Sequence, residues 1–261
     1  MKHGQTYSMI AATALLLAGC SKSAEEGVAG YGRIALDCET DITLATRAQT
    51  VTVPATSSLS VSISGNGYQK SWSSMAKYEA ENPLLKEGDY TVVIGYGQPG
   101  QEGVERPYYT GSAPATVVAR QTVPVSVTVR IANSLTTVEA TEQFRKYFPK
   151  ARFTLKTASG NSFQFASDAT GSGTLPLGEL VYVKTGTSLT VAGSAQRQSQ
   201  NGVDEGPAVE FQEQTLQSTE EKTCHRFRFD APDAGSATLD ILIDDTVVET
   251  IALPIELNEG A

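Results

Sequence analysis

Few residues in this chain of 261 have the type and spacing to do chemistry, and Cys20 is the one most constrained by its neighbours. In Leu17-Ala18-Gly19-Cys20, two small residues precede a thiol. Small side chains there let a peptidase close over the backbone, and only a thiol at 20 can form a thioether with a diacylglycerol. His3 and His225 are the only histidines. A single histidine beyond Cys20 excludes a His-rich zinc site and leaves any Ser-His-Asp arrangement dependent on one residue. His225 shares its strand face with Phe227 and Phe229, which predicts a core position rather than a catalytic one. The sequence holds neither a G-x-S-x-G elbow nor an H-E-x-x-H pair, and no enzyme activity is expected.

Gly95-Tyr96-Gly97-Gln98-Pro99-Gly100 has the glycine spacing of a dinucleotide loop. Pro99-Gly100 cannot open the helix whose N-terminus would hold a pyrophosphate, and Glu102 and Glu105 would repel it. The stretch reads instead as a mobile hairpin loop. Asp230, Asp233, Asp240, Asp244 and Asp245 supply oxygen atoms but lack the D-x-D-x-D-G pattern of a calcium loop. A solvated acidic edge is the expectation and calcium the alternative; neither metal nor cofactor is assigned. Tyr68, Trp72, Tyr108 and Tyr109 are the candidate ligand residues, since flat aromatics beside polar groups can form a carbohydrate platform. Loop aromatics that cap one end of a β-sandwich are the competing reading, and nearby Tyr96 continues a core stripe.

The elements that must position these residues begin with a secretory signal peptide. Lys2 and His3 precede the apolar run Met9 to Leu17, a basic start and a core far too short to span a membrane. Residues 1–19 are therefore the signal peptide, and the junction resembles a bacterial lipobox. Cleavage before Cys20 and acylation, with chains such as palmitate, follow from that likeness. Residues 20–30 read as a lipidated tether, whose Glu25-Glu26 resembles the surface-export signal of Bacteroides-type lipoproteins. The chain holds 29 acidic and 20 basic residues, a formal net charge of −9. That balance disfavours nucleic acid and adsorption to anionic lipid, so the membrane partner is reached through the lipid on Cys20. The expected location is the outer membrane, facing the cell surface.

From residue 31 the hydrophobic period is two. Ile34, Leu36 and Cys38 share one face; Leu59, Val61 and Ile63 alternate with serines; Val123 to Ile131 forms the clearest stripe. Leu85-x-x-Gly88-x-Tyr90 has the spacing of a tyrosine corner, in which the hydroxyl returns to upstream backbone. Thr141 to Pro149 fits one or two helical turns, capped by Thr141 with Phe144 and Phe148 on one side. The pattern resumes at Phe153-Leu155, and Asp244-Asp245 reads as a hairpin turn. Pro254 suggests an edge strand. The fold class is all-β: two β-sandwich domains of Ig-like or Greek-key type, over 31–134 and 135–258, with one short helix. Cys38 and Cys224 fall in different halves and strand phases, so no disulfide between them is expected.

Taken in order, these pieces resemble the Bacteroides-type lipoproteins of domain of unknown function 4493. The likeness rests on the lipobox, the early Gly-Tyr-Gly-x-Ile-x-Leu strand, and Leu85-x-x-Gly88-x-Tyr90. It extends through Pro107-Tyr108-Tyr109-Thr110-Gly111, the strand ending at Asn133-Ser134, Phe144-x-x-Tyr147-Phe148 and the Asp244-Asp245 hairpin. The resemblance implies a lipid-anchored, secreted β protein and carries no catalytic residues. A structural, adhesive or scaffold role at the surface is the leading expectation. The alternatives are a glycan-binding accessory lipoprotein and a fimbrillin-like pilus subunit. In the last case strand Tyr31–Cys38 would lie at a sheet edge and leave after cleavage near Arg33 or Arg47.

Overall fold

The computed structural model describes residues 29–41, 53–170, 173–198, 206–233 and 235–253. The signal peptide, Cys20, Arg47 and Pro254 lie outside them. No helix among the described residues is long and apolar enough to cross a membrane.

In the first half, alternating apolar residues give seven strands: β1 (Tyr31–Asp41), β2 (Ser60–Gly65), β3 (Tyr68–Trp72), β4 (Leu85–Lys86), β5 (Gly88–Tyr96), β6 (Tyr109–Val117) and β7 (Thr122–Ile131). They join into one sheet in the order β3-β2-β5-β6-β7-β1-β4. β4 closes the row at one margin, yet only Glu87 separates it from β5 in the interior. The sheet must therefore curl on itself, and it does so around Leu59, Val61, Ile63, Val92, Ile94, Val127 and Val129, all buried. Helix α1 (Met75–Glu81) adds Met75 and Tyr78 to this core.

Sequence reasoning missed α1. Its signals are present: Ser74 caps the first turn by accepting from Lys77 N–H, Asn82 ends it in the left-handed region, and Pro83 follows. The tyrosine corner is as expected, with Tyr90 Oη donating to the Lys86 carbonyl at 2.8 Å.

The second half contains β8 (Asn133–Ala140), α2 (Glu142–Tyr147), β9 (Lys150–Thr157), β10 (Ser162–Ala166), β11 (Thr174–Pro176), β12 (Val181–Lys184), β13 (Leu189–Gln196), β14 (Ala208–Leu216), β15 (Cys224–Asp233), β16 (Ser236–Ile243) and β17 (Thr246–Leu253). Two five-stranded sheets, β11-β10-β9-β13-β14 and β12-β8-β15-β16-β17, face each other. Phe153 of β9 stacks on Phe229 of β15 at 4.0 Å between centroids. Thr141 caps α2 by accepting from Phe144 N–H at 3.0 Å, and Phe144 lies 4.9 Å from Phe148. The Asp244-Asp245 hairpin forms between β16 and β17.

The all-β class holds, with face-to-face sheets in the second half and a single curled sheet in the first. The apolar residues form two clusters, and the division runs through individual strands. Leu135 of β8 and Cys224 of β15 join the first cluster, whereas Val138 and Phe227 of the same strands join the second. Ala132 alone separates β7 from β8, so the two halves meet without a linker.

Candidate functional site

The candidate platform is not assembled as a platform. Trp72 is 5% exposed and Tyr109 1%. Trp72 packs edge-on against Tyr78 at 5.1 Å, and its Nε1 donates to Glu81 at 2.8 Å. Tyr68 sits edge-on to Tyr90 at 6.3 Å, whereas Tyr108 donates its backbone N–H to the Asn133 side chain. Stacking on a sugar needs open ring faces, and two of the four residues have none. Burial removes Trp72 and Tyr109 from the ligand reading, whereas Tyr68 and Tyr108 stay half-buried. Tyr96, by contrast, ends the core stripe in solvent at 39% exposure.

His225 is buried, as its face predicted. Its Nε2 accepts from Glu220 N–H at 3.0 Å, which assigns the proton of the neutral ring to Nδ1. Desolvation lowers its pKa, against the opposing charges of Glu220 and Asp244. The aspartates go to separate partners rather than converging. Asp240 accepts from Arg228 and Thr250, both at 2.8 Å, Asp230 accepts from Thr141, and Asp244 accepts from Cys224 N–H at 3.0 Å. Burial works to raise the Asp240 pKa, but the Arg228 and Thr250 bonds outweigh it and hold the carboxyl low.

The glycine-rich loop differs from the mobile hairpin expected. Beyond its exposed tip it crosses to the second half, where Glu102 accepts from Thr157 Oγ1 at 2.6 Å, Asn161 Nδ2 at 2.7 Å and Lys184 N–H at 3.0 Å. Gly103 and Tyr182 exchange backbone hydrogen bonds at 2.9 and 3.0 Å. Burial acts to raise the Glu102 pKa, yet these donors prevail and lower it. The loop is a clamp between the halves. A lone glutamate in a glycine-rich stretch gave no hint of its partners, because all of them are at least 55 residues away in sequence.

β1 is the element that bears on function. It runs parallel to β7 from Arg33↔Thr122 to Asp41↔Arg130. On its other side, β4 covers only Tyr31 and Gly32. Over most of its length β1 is thus the marginal strand, with an edge that no described strand pairs. At its start, Gly32 lies so close to the β6–β7 turn that a Cβ would stand 2.3 Å from the Val118 carbonyl oxygen. In its middle, Tyr78 Oη donates to the Ile34 carbonyl at 2.6 Å. At its end, Asp41 pairs with Lys222 of the second half at 3.1 Å. One strand therefore spans the first half, from Tyr31 beside the β6–β7 turn to the junction with the second. Cys38 of β1 and Cys224 of β15 are both free thiols.

The solved structures to which this chain is similar show low identity. A candidate cell adhesion protein of Parabacteroides distasonis is 10% identical, with a TM-score of 0.47 over 88% of this chain and 99% of its own. The fimbrial anchor protein Mfa2 of Porphyromonas gingivalis is 11% identical, with a TM-score of 0.43 over 84% and 99%. A fimbrilin of Porphyromonas gingivalis is 10% identical, with a TM-score of 0.39 over 78% and 90%. Among curated proteins, none matches the sequence. At the level of family the assignment is direct: the model described as Domain of unknown function (DUF4493) matches residues 30–259, and the chain belongs to that family.

Proposed function

We propose that the chain is a lipid-anchored display module at the outer-membrane surface, with a structural, adhesive or scaffold role and no catalysis of its own. The observation that carries this reading is the course of β1. β1 begins at Tyr31, at the end of the first half opposite its Asp41 contact with the second. A lipid on Cys20 would therefore hold the first half near the membrane and the second half away from it. In this reading 31–134 and 135–258 act as two stacked domains. Metabolic labelling with a fatty-acid analogue tests the anchor: label is expected on the wild-type chain and none on Cys20→Ala, which should leave the membrane fraction. Protease shaving of intact cells tests the outward face, with digestion of the body expected. A chain without label, or a body fully protected, overturns the corresponding part.

The marginal position of β1 supports a second reading, a pilus-like subunit. Loss of β1 would leave the edge of β7 open, with backbone donors and acceptors that a neighbour's strand could satisfy. Arg33 is a poor cut site while its own N–H donates to the Gln121 carbonyl at 2.8 Å within the paired strand. The monomeric module is favoured. Limited trypsin digestion followed by size-exclusion chromatography separates the two readings, with a processed chain that stays monomeric expected.

A further inference from the structure

At the end where the chain emerges, three segments meet. The Tyr31 carbonyl accepts from Arg120 N–H at 2.7 Å, and Glu87 N–H donates to the Gly30 carbonyl at 2.9 Å. Tyr31 and Gly32 pair with Lys86 and Leu85. These bonds gather Tyr31, Leu84 and Val118 at one end of the sheet, exposed by 40%, 41% and 43%. They are three of the eight large hydrophobic residues that stand exposed among the described residues, and no other such residue belongs to these segments. Lys86 and Arg120 are exposed beside them, against the carboxylate of Glu87. The next acid, Asp89, accepts from Thr116 at 2.7 Å. In a chain of net charge −9 this end, among the described residues, is without acidic excess.

We propose that this end is a membrane-contact face, in which Tyr31, Leu84 and Val118 enter the headgroup–acyl boundary of the leaflet that holds the lipid of Cys20. Lys86 and Arg120 then lie at the level of the phosphates. The proposal rests on the lipid-anchor reading above. Fully extended, the chain from Cys20 to Gly30 reaches about 35 Å at most, so this is the end of the body nearest the lipid. A tyrosine ring with a polar tip, aliphatic neighbours and flanking basic side chains are the groups that favour a membrane interface. Elsewhere the acidic body would be repelled by an anionic leaflet, so this face sets which way the body stands. A second copy is the weaker occupant. Three partly exposed side chains offer on the order of a few hundred Å², well below the ~800 Å² per partner of a stable interface.

The test uses the full lipidated chain in vesicles of phosphatidylethanolamine and phosphatidylglycerol, some carrying a nitroxide on the lipid. A fluorophore is placed on Val118→Cys or, as a control in α2 of the second half, on Glu142→Cys. Cys38 and Cys224 compete poorly for the label because burial pushes both thiols up to about 11. Co-flotation with vesicles reads the anchor; quenching reads the face. Quenching several-fold stronger at 118 than at 142 is expected, and it should fall when Leu84→Glu is added. A chain that floats with equal quenching at both positions overturns the face and leaves the anchor standing. A chain that does not float removes the anchor and the face with it. Self-association through this end, seen as excimer emission from pyrene at position 118 without vesicles, also overturns it.

Discussion

Phe144, Phe148, Phe153, Phe211 and Phe229 fill the second half with one aromatic cluster, whose members reach across both sheets. The first half uses aliphatic side chains along a single curled sheet, and its tyrosines act as much through hydroxyl groups as through rings. Tyr78 Oη ties α1 to β1, and Tyr90 Oη ties β5 to β4. In the second half, two sheets close on each other chiefly by burial, which is non-directional, with Gly178 N–H donating to the Val138 carbonyl at 2.9 Å between them. Closure of the first half depends on one marginal strand held by a parallel ladder, a few directed hydrogen bonds and the Lys222–Asp41 pair. Stability and the capacity to exchange a strand should therefore be unevenly divided between the halves.

The largest effect that would sharpen this contrast is Phe153→Ala. The ring is 1% exposed and stacked on Phe229, so its removal should cost about 3–5 kcal/mol through lost burial and the cavity left behind. The single tryptophan, Trp72, lies in the first half and reports that half's unfolding separately. In urea, far-UV circular dichroism should show an early loss of second-half strands while the Trp72 transition keeps its midpoint. Equal shifts of both signals would mean that the halves unfold as one unit, and the contrast would fail.

Tyr78→Phe comes next. The ring still fills the space against Trp72, but the Ile34 carbonyl loses its donor in a buried position, worth about 1–3 kcal/mol. Here the Trp72 transition should move and the second half should not. Tyr90→Phe serves as the milder companion, since its hydroxyl is only partly buried.

Much of this arrangement was legible in the sequence where a face repeats every second residue. Val125, Val127, Val129 and Ile131 alternate with polar neighbours and are buried as that pattern requires. Thr141 with Phe144 announces α2, and Leu85-x-x-Gly88-x-Tyr90 announces a hydroxyl bond that forms. β8 was not legible, because Asn133, Ser134, Thr136 and Thr137 are buried on both faces between β12 and β15 and so show no alternation. α1 was missed because a seven-residue helix gives barely two turns of period. The parallel pairing of β1 with β7 is a choice among edges that local pattern does not encode. The burial of Trp72 and Tyr109 was not legible for a related reason: composition locates a ring in the chain, but only the curl of the sheet decides whether its face meets solvent or core.

Glu102→Gln tests the clamp that couples the halves. The native carboxylate titrates below its ordinary range because the Thr157 and Asn161 side chains and the Lys184 N–H donate to it more strongly than burial opposes it. A folded pKa below the unfolded one contributes stability that is fully present above the unfolded value. That contribution is lost as pH falls through the folded value. The substitution should cost about 1 kcal/mol at neutral pH, and the difference from wild type should shrink on acidification. Urea midpoints at neutral and acidic pH would show it. A constant difference would mean that the negative charge of Glu102 does not matter to the clamp, and no difference at either pH that the loop holds through Gly103 and Tyr182 alone.

The smallest effect concerns kinetics rather than stability, and it asks whether β1 opens locally. In Cys20→Ala chains the remaining thiols, Cys38 in β1 and Cys224 in β15, become matched reporters. Burial is the main cause that pushes each up to about 11, with Asp37 adding to it at Cys38 and Arg226 opposing it at Cys224. A thiol with that pKa is about one thousandth thiolate at pH 8, so both should react slowly. Intrinsic reactivity thus differs little, and the ratio of labelling rates reports access. Cys38 sits in a strand with an unpaired outer edge and should react through local opening, which needs less free energy than global unfolding. Cys224 is 2% exposed between β8 and β16, where β15 packs on the first-half core, and should react only when β15 leaves its sheet. Alkylation followed by intact mass should give one adduct well before two, with the first mapped to Cys38. Adding Tyr78→Phe should speed the first adduct and leave the second unchanged, because the lost hydrogen bond holds β1 and nothing in β15. Were both adducts to appear together, β1 would be no looser than the interior strand β15, and the strand-exchange reading would lose its structural support.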